Sequence, residues 1–374
     1  MKNSLFYYAT SELSQDAFIC WLASFALNSS PEHTLRECAI KLLKMFVPEL
    51  ASKEFTLTDI ERQVALSKSN RLDILLTIQA QDTIYKVIVE DKTFTSEGEN
   101  QLQRYISETT EKNHNCKVCG VYFKTAEYIY ADNRVLLDDA IVKVTRRDIL
   151  ELIKPYIACS EILNDYYLNL KALEDAYEET EQAYHSFNYD EALQYSYMQW
   201  RYFKDCFAEE NDDGECMLLK DMSLAETQES IQQGSSFGTP YTWYWFLEFS
   251  QGVSKDKIDT HGRYLGYRID RDGKGTYLSL RMYCRYDKNN EREKDRQDSI
   301  FKFTRDFVTE LIADSCPEVN ENGFKLHFNK TSRMSYYECE IFRCYFNENV
   351  FDQKTHNAFV RMLYKIRNNL QVFV

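Results

Sequence analysis

The stretch Arg71-Leu72-Asp73-Ile74-Leu75-Leu76, followed by Val87-Ile88-Val89-Glu90-Asp91-Lys92, constrains the fold of this 374-residue sequence more than any other part of it. Both are apolar runs with the length and composition of largely buried strands, and both carry charge. A carboxylate inside such a run is costly unless it is paired or bound to a metal. Alternation along a strand puts Ile88, Glu90 and Lys92 on one face and Val87, Val89 and Asp91 on the other. The polar stretch Gln79-Ala80-Gln81-Asp82-Thr83 suits a hairpin turn. Pairing the two strands across it brings Asp73 close to Glu90, with Lys92 beside them.

Two anionic oxygens with no accompanying His or Cys are hard ligands, which suit Mg2+ or Mn2+ better than zinc. A divalent ion there polarises a phosphoryl oxygen and acidifies a bound water, and Lys92 is placed to orient that water or to stabilise developing charge. In a chain that is 28% charged the plain alternatives are a solvated strand edge, or an ion pair of Glu90 with Lys92 or of Arg71 with Asp73. A second signal follows. The stretch Glu97-Gly98-Glu99-Asn100-Gln101-Leu102-Gln103-Arg104-Tyr105-Ile106 reads as a helix start, and Gln101 and Tyr105, four apart, share a face of it.

Asp73, Glu90, Lys92, Gln101 and Tyr105 taken in order resemble the PD-(D/E)xK nuclease superfamily, in particular its RecB-like branch, where a Gln-x-x-x-Tyr helix follows the Asp and Glu-x-Lys strands. The opening Ser11 to Leu22 is similar to uncharacterised bacterial members. The resemblance covers roughly residues 1–158 and implies a restriction-endonuclease-like α/β core. It implies that Asp73 and Glu90 are metal ligands, that the Asp91 carbonyl is a further ligand, and that Lys92 is the catalytic lysine. Gln101 and Tyr105 would help to hold the site or the nucleic acid. Leu72 stands where the family name has proline, which removes no ligand. The family's helical Glu corresponds to Glu12 or, on the next helix, to Glu37, and either could instead be a charge favoured by a helix dipole. The implied activity is Mg2+-dependent phosphodiester hydrolysis, with DNA preferred to RNA as substrate. Two alternatives stand beside it: a catalytically silent nucleic-acid- or partner-binding protein on the same fold, and a subunit that needs another protein for activity.

Composition sets the outer bounds. A 44% hydrophobic, 14% aromatic chain of this length holds two cored domains. With no run of about 18 apolar residues and no basic then apolar segment at Met1-Lys2-Asn3-Ser4, a cytoplasmic protein with no membrane partner is expected. The eleven cysteines, an odd and irregular set, read as reduced thiols. Cys116-Lys117-Val118-Cys119, after His114, lacks a second pair to complete a zinc site and reads as buried strand thiols. The net charge of −14 runs against a nucleic-acid enzyme. Nearly all of the acidic excess lies in residues 159–230, however, and both flanks are close to neutral.

These patterns give a nuclease-like domain over 1–158, an acidic helical connector over 159–230 with an exposed turn at Asn211-Asp212-Asp213-Gly214-Glu215, and a C-terminal α+β domain over 231–374 for substrate or partner recognition. Within the first domain, helices are expected at 15–28 and 32–47, strands around 117–123 and 141–144, and a helix over 147–156. In the last, the aromatic run Tyr241 to Phe249 and a hairpin around Asp270-Arg271-Asp272-Gly273-Lys274-Gly275 read as strands. They are followed by a helix at 300–313, strands at 324–328 and 337–346, and a helix at 354–370. On the second hairpin strand Arg281, Tyr283 and Arg285 share a face that either contacts nucleic acid or is merely solvated. A protein partner or a homo-oligomer is compatible with all of this.

Overall fold

The apolar runs that open the sequence form strands β2 (Arg71–Ala80) and β3 (Thr83–Lys92), antiparallel in a register that runs from Ala80 opposite Thr83 to Ile74 opposite Val89. The two-residue turn Gln81-Asp82 closes the hairpin, with Gln81 in the left-handed region at φ 52°. The computed structural model describes residues 4–9, 12–27, 32–67, 70–92, 100–125, 139–208, 231–236, 239–248, 263–284, 291–331 and 338–371. The chain divides into two units, Met1–Glu178 and Glu179–Val374.

The first unit is a mixed sheet in the order β1-β2-β3-β4-β5. Strand β1 (Thr56–Ala65) pairs antiparallel with β2, while β4 (Cys116–Lys124) and β5 (Ile141–Thr145) extend the sheet in parallel from β3. A parallel neighbour demands a crossover, and helix α4 (Gln101–Lys112) lies between β3 and β4 in sequence. Before the sheet come α1 (Leu5–Tyr8), α2 (Glu12–Ser24) and α3 (His33–Phe46). The stripe Leu35, Ala39, Leu42, Leu43 and Phe46 packs with Phe18, Ile19 and Leu22 of α2 against Ile74, Leu76, Val87 and Val89. Ile88 and Leu75 turn the other way, into a smaller core with Leu102 and Tyr105 of α4 and Tyr122 of β4. Fully burying such a side chain contributes about 1.5–3 kcal/mol, so the strands are held from both faces and their register is fixed. At Gly120 a Cβ would lie 2.6 Å from Ile106 Cδ1, the end of a side chain that would have to turn aside, so the bare position lets α4 seat closely on β4.

Helix α5 (Arg146–Ile153) starts on a capping box made by Thr145 and Asp148. Helix α6 (Glu161–His185) follows, and its Leu163, Tyr166 and Leu170 belong to the larger core of the first unit. The division between the units falls within α6. The expected turn at 211–215 lies outside the described residues.

The second unit contains α7 (Tyr189–Ala192), α8 (Ser196–Ala208) and an antiparallel sheet in the order β10-β11-β9-β8-β7-β6. Its strands are β6 (Ile231–Ser236), β7 (Thr239–Glu248), β8 (Arg263–Asp272), β9 (Gly275–Cys284), β10 (His327–Phe328) and β11 (Glu338–Tyr345). Helices α9 (Glu291–Ser315), α10 (Pro317–Glu321) and α11 (Gln353–Gln371) complete it. Asp272 pairs with Gly275 across the expected hairpin. The expected strand at 324–328 shrinks to His327–Phe328, because Phe324 stacks on Phe351 and packs edge-on to Phe359. Strands β1 and β6 and helix α8 were not anticipated from the sequence. Among the described residues no helix is long and apolar enough to cross a membrane.

Candidate active site

The β2–β3 ladder ends at the pair Ile74 and Val89. One residue further on, the backbone bond gives way to a side chain: the Asp91 N–H donates to Asp73 Oδ2 at 3.2 Å. The strands part there, and the charged residues gather in the opening. On the α4 side Lys92 Nζ donates to Glu90 Oε1 at 2.6 Å, and Gln101 Nε2 donates to the same oxygen at 2.7 Å. Gln101 Nε2 also lies 3.0 Å from the Tyr105 hydroxyl, which accepts from it. The structure therefore brings together Asp73, Glu90, Asp91, Lys92, Gln101 and Tyr105, and the Glu90–Lys92 ion pair is present.

Asp91 points to the opposite face, as strand alternation requires. It is fully buried, and Gln15 Nε2 of α2 donates to its Oδ1. The Gln15 carbonyl oxygen accepts from Thr125 Oγ1 and, at 3.1 Å, from the Tyr166 hydroxyl. Thr125 is braced in turn, since the buried Arg146 donates from Nη1 to its carbonyl at 2.8 Å and from Nε to Glu174 at 2.8 Å. One amide thus ties β3, β4 and α6 together behind the site.

Asp16, one helical turn after Glu12, is 1% exposed. Gln63 Nε2 on β1 lies 3.5 Å from Asp16 Oδ2 and 3.4 Å from Asp73 Oδ1 and donates to both. Next to it, Arg62 Nη2 donates to the Leu13 carbonyl at 3.3 Å, fixing the start of α2 to β1. Neither Gln15, Asp16 nor Gln63 was singled out from the sequence. The available signal was position: Asp16 stands three residues before Ile19 and seven before Ala23, on the buried stripe of α2, where a carboxylate is out of place.

Electrostatics record the crowding. Burial, reinforced by the charge of Asp73, raises the Asp16 carboxyl to about 6. Burial also raises Asp73, against the pull of Lys92 and the Asp91 N–H. Asp91 is pushed well above the usual carboxylate range by burial and, after the opposing Gln15 bond, by Asp16 and Asp73. Burial alone would lower the Lys92 ammonium, yet the charge and hydrogen bond of Glu90, with Asp73 and Glu12, leave it raised. Glu12 thus lies near enough for its charge to act on Asp16, Asp73, Asp91 and Lys92. Glu37 does not join them: it is exposed and bonded to Lys41 and Tyr156.

Among the described residues no three His, Cys, Asp or Glu side chains form a preassembled metal cage. The donor set nevertheless fits a hard cation. It is made of carboxylates in excess of ammonium charge, and Asp16 Oδ1 is buried with no hydrogen-bond partner. An anionic oxygen left in that state is costly, and a divalent ion removes the cost.

In the second unit Arg281 is buried: Nη1 donates to Glu338 at 2.8 Å, Nη2 to the Tyr277 hydroxyl at 2.9 Å and Nε to Ser279 at 2.9 Å, with Glu340 at 3.1 Å. Arg285 and the side chain of Tyr283 lie outside the described residues.

No curated protein and no solved structure matches the chain. Residues 32–211 match the family model of the PD-(D/E)XK nuclease superfamily, a span that contains Asp73, Glu90, Lys92, Gln101 and Tyr105 but begins after α2. The mixed α/β sheet whose hairpin ends in Asp73, Glu90 and Lys92 lies within that match, so this region of the chain is similar to the PD-(D/E)XK nuclease superfamily.

Proposed function

We propose that the protein is a divalent-metal-dependent nuclease that hydrolyses phosphodiester bonds, with DNA as its substrate. The observation that carries the reading is the gathering of Asp73, Glu90 and Lys92 where β2 and β3 part, with Gln101 bonded to Glu90. Asp73, Glu90 and the Asp91 carbonyl would hold Mg2+ or Mn2+. When bound, such an ion polarises a phosphoryl oxygen and lowers the pKa of a coordinated water.

The protein's own groups do the rest. Lys92, kept protonated by Glu90 and Asp73, orients the attacking water or neutralises a phosphoryl oxygen as negative charge builds on it. Gln101 holds one oxygen of Glu90 and thereby sets the direction of the other, while Tyr105 anchors Gln101. Gln15 locks the Asp91 side chain inward, which fixes the peptide whose carbonyl is to serve the metal. Substrate or partner recognition falls, in the same proposal, to the second unit. A phosphate approaching Arg281 competes with Glu338 and Glu340, so the reading places no weight on that residue.

Single- and double-stranded DNA and RNA are to be incubated with the full chain in Mg2+ or Mn2+, beside Asp73→Ala. Cleavage by the wild type that is lost in the variant is expected. Cleavage that persists in the variant overturns the assignment of the site. Binding without cleavage under either metal replaces it with the catalytically silent reading, which the Glu90–Lys92 ion pair favours because Lys92 already occupies an oxygen of Glu90.

A further inference from the structure

Gln63 stands opposite Asp73: the β1–β2 register pairs Arg62 with Ile74 and Val64 with Leu72 on either side of it. Its φ is 51°, in the left-handed region, where a side chain crowds its own backbone. The other non-glycine residues with positive φ among those described are Gln81 in a turn, Asn100 before α4 and Phe187 after α6. Gln63 adopts it inside a strand. Strain kept in such a place calls for a reason, and the side chain supplies one: a single amide nitrogen reaches a carboxylate on α2 and another on β2.

Two Asp residues from separate elements repel each other. An NH2 group between them offsets that repulsion and takes one oxygen of each, Oδ2 of Asp16 and Oδ1 of Asp73. Asp16 Oδ1 is left buried and without a partner, and Asp73 Oδ2 faces the Asp91 N–H. We propose that Gln63 is a positioning residue whose left-handed backbone sets its amide between Asp16 and Asp73, so that Asp16 joins Asp73 and Glu90 in holding the cation. This rests on the metal-dependent reading above and adds to it a ligand on α2 and the device that aims it. Groups that hold a metal's carboxylate ligands typically carry 10–100-fold in affinity.

The test is Mn2+ alone, titrated into the full chain and followed by electron paramagnetic resonance and by calorimetry, with thermal unfolding of each metal-free protein. Gln63→Gly relieves the φ strain and removes the amide; Gln63→Met keeps the length and the strain and removes only the donor. Both variants are expected to bind Mn2+ about tenfold or more weakly, and Asp16→Asn to weaken it comparably, with Gln63→Gly unfolding within a few degrees of wild type. Mn2+ binding by Gln63→Met at wild-type strength overturns the proposal, as does weakening that appears only in variants whose unfolding temperature has fallen. Wild type that binds no Mn2+, or Asp73→Ala that binds it equally well, instead removes the metal reading itself and this inference with it.

Discussion

In the second unit Arg268, Arg281 and Arg343 lie among Asp270, Asp272, Glu338 and Glu340, and each guanidinium is paired with carboxylates of β8 or β11. In the first unit Glu90 and Asp73 lie by the ammonium of Lys92, while Asp16 and Asp91 each keep a buried oxygen with no hydrogen-bond partner. Both clusters are buried charge on a sheet, so burial alone does not separate them. The balance does. The arginine lattice is nearly neutral, although Arg268 Nε is buried without a hydrogen bond, whereas the carboxylate cluster holds more acid than base, a cost that a proton or a cation from solution offsets.

Removing the cation from each cluster tests this contrast most sharply. Lys92→Met is expected to lower cleavage about a thousandfold, roughly 4 kcal/mol, without lowering Mn2+ affinity, since it takes away a competitor for Glu90; assays of cleavage and of Mn2+ binding on the same preparation decide it. Arg281→Met leaves Glu338 to Arg268 and Glu340 to Arg343 but removes a buried guanidinium and its hydrogen bonds, and is expected to cost about 2 kcal/mol of stability in denaturant unfolding while Mn2+ affinity stays unchanged. If Lys92→Met proves as destabilising as Arg281→Met, the two clusters are of one kind and the contrast fails.

A smaller effect belongs to His356, half-buried in the second unit between the Tyr189 hydroxyl and Cys206 Sγ, where burial lowers its pKa to about 4. The unfolded chain takes up a proton near pH 6.5 and the folded one does not, so stability is full above that pH and falls as the pH drops toward 4, by about 2 kcal/mol. Unfolding free energies at pH 7 and 4.5 should show the drop, and His356→Gln should flatten it. The smallest is Asp16→Asn, which removes a buried charge with one oxygen unbonded and should stabilise the metal-free chain by about 1 kcal/mol. The same variant should gain less unfolding temperature than wild type on adding Mn2+.

Asp73, Glu90, Lys92, Gln101 and Tyr105 were legible because their grouping depends on strand alternation, one short hairpin and one helical turn, all of them local. Strand β1 was not legible. Its Glu61-Arg62-Gln63 segment is polar, since an edge strand needs to bury little, and nothing in it distinguishes strand from loop. With β1 went Gln63, and with Gln63 the meaning of Asp16, 47 residues earlier. Glu12 is the first choice for the family's helical acid, and Asp16, buried one turn later, carries no motif that marks it. The arginine face of β9 was read as open to phosphate or water because its partner Glu338 comes 57 residues after Arg281, from a strand whose neighbours the sequence does not name. Local periodicity carried the fold and the nearer half of the site; the rest was written in long-range pairing.

Gly120 touches none of the charged groups, and a Cβ there meets only the tip of Ile106, which can turn aside, so Gly120→Ala should be tolerated while a bulky side chain presses on the helix that carries Gln101 and Tyr105. A survey of tolerated substitutions would find bulky residues excluded at Gly120 and could not by itself tell clearance from chemistry. Second-site suppression can: trimming Ile106 to Ala makes room for Gly120→Val and should restore a working protein, whereas no neighbouring change replaces the ammonium of Lys92.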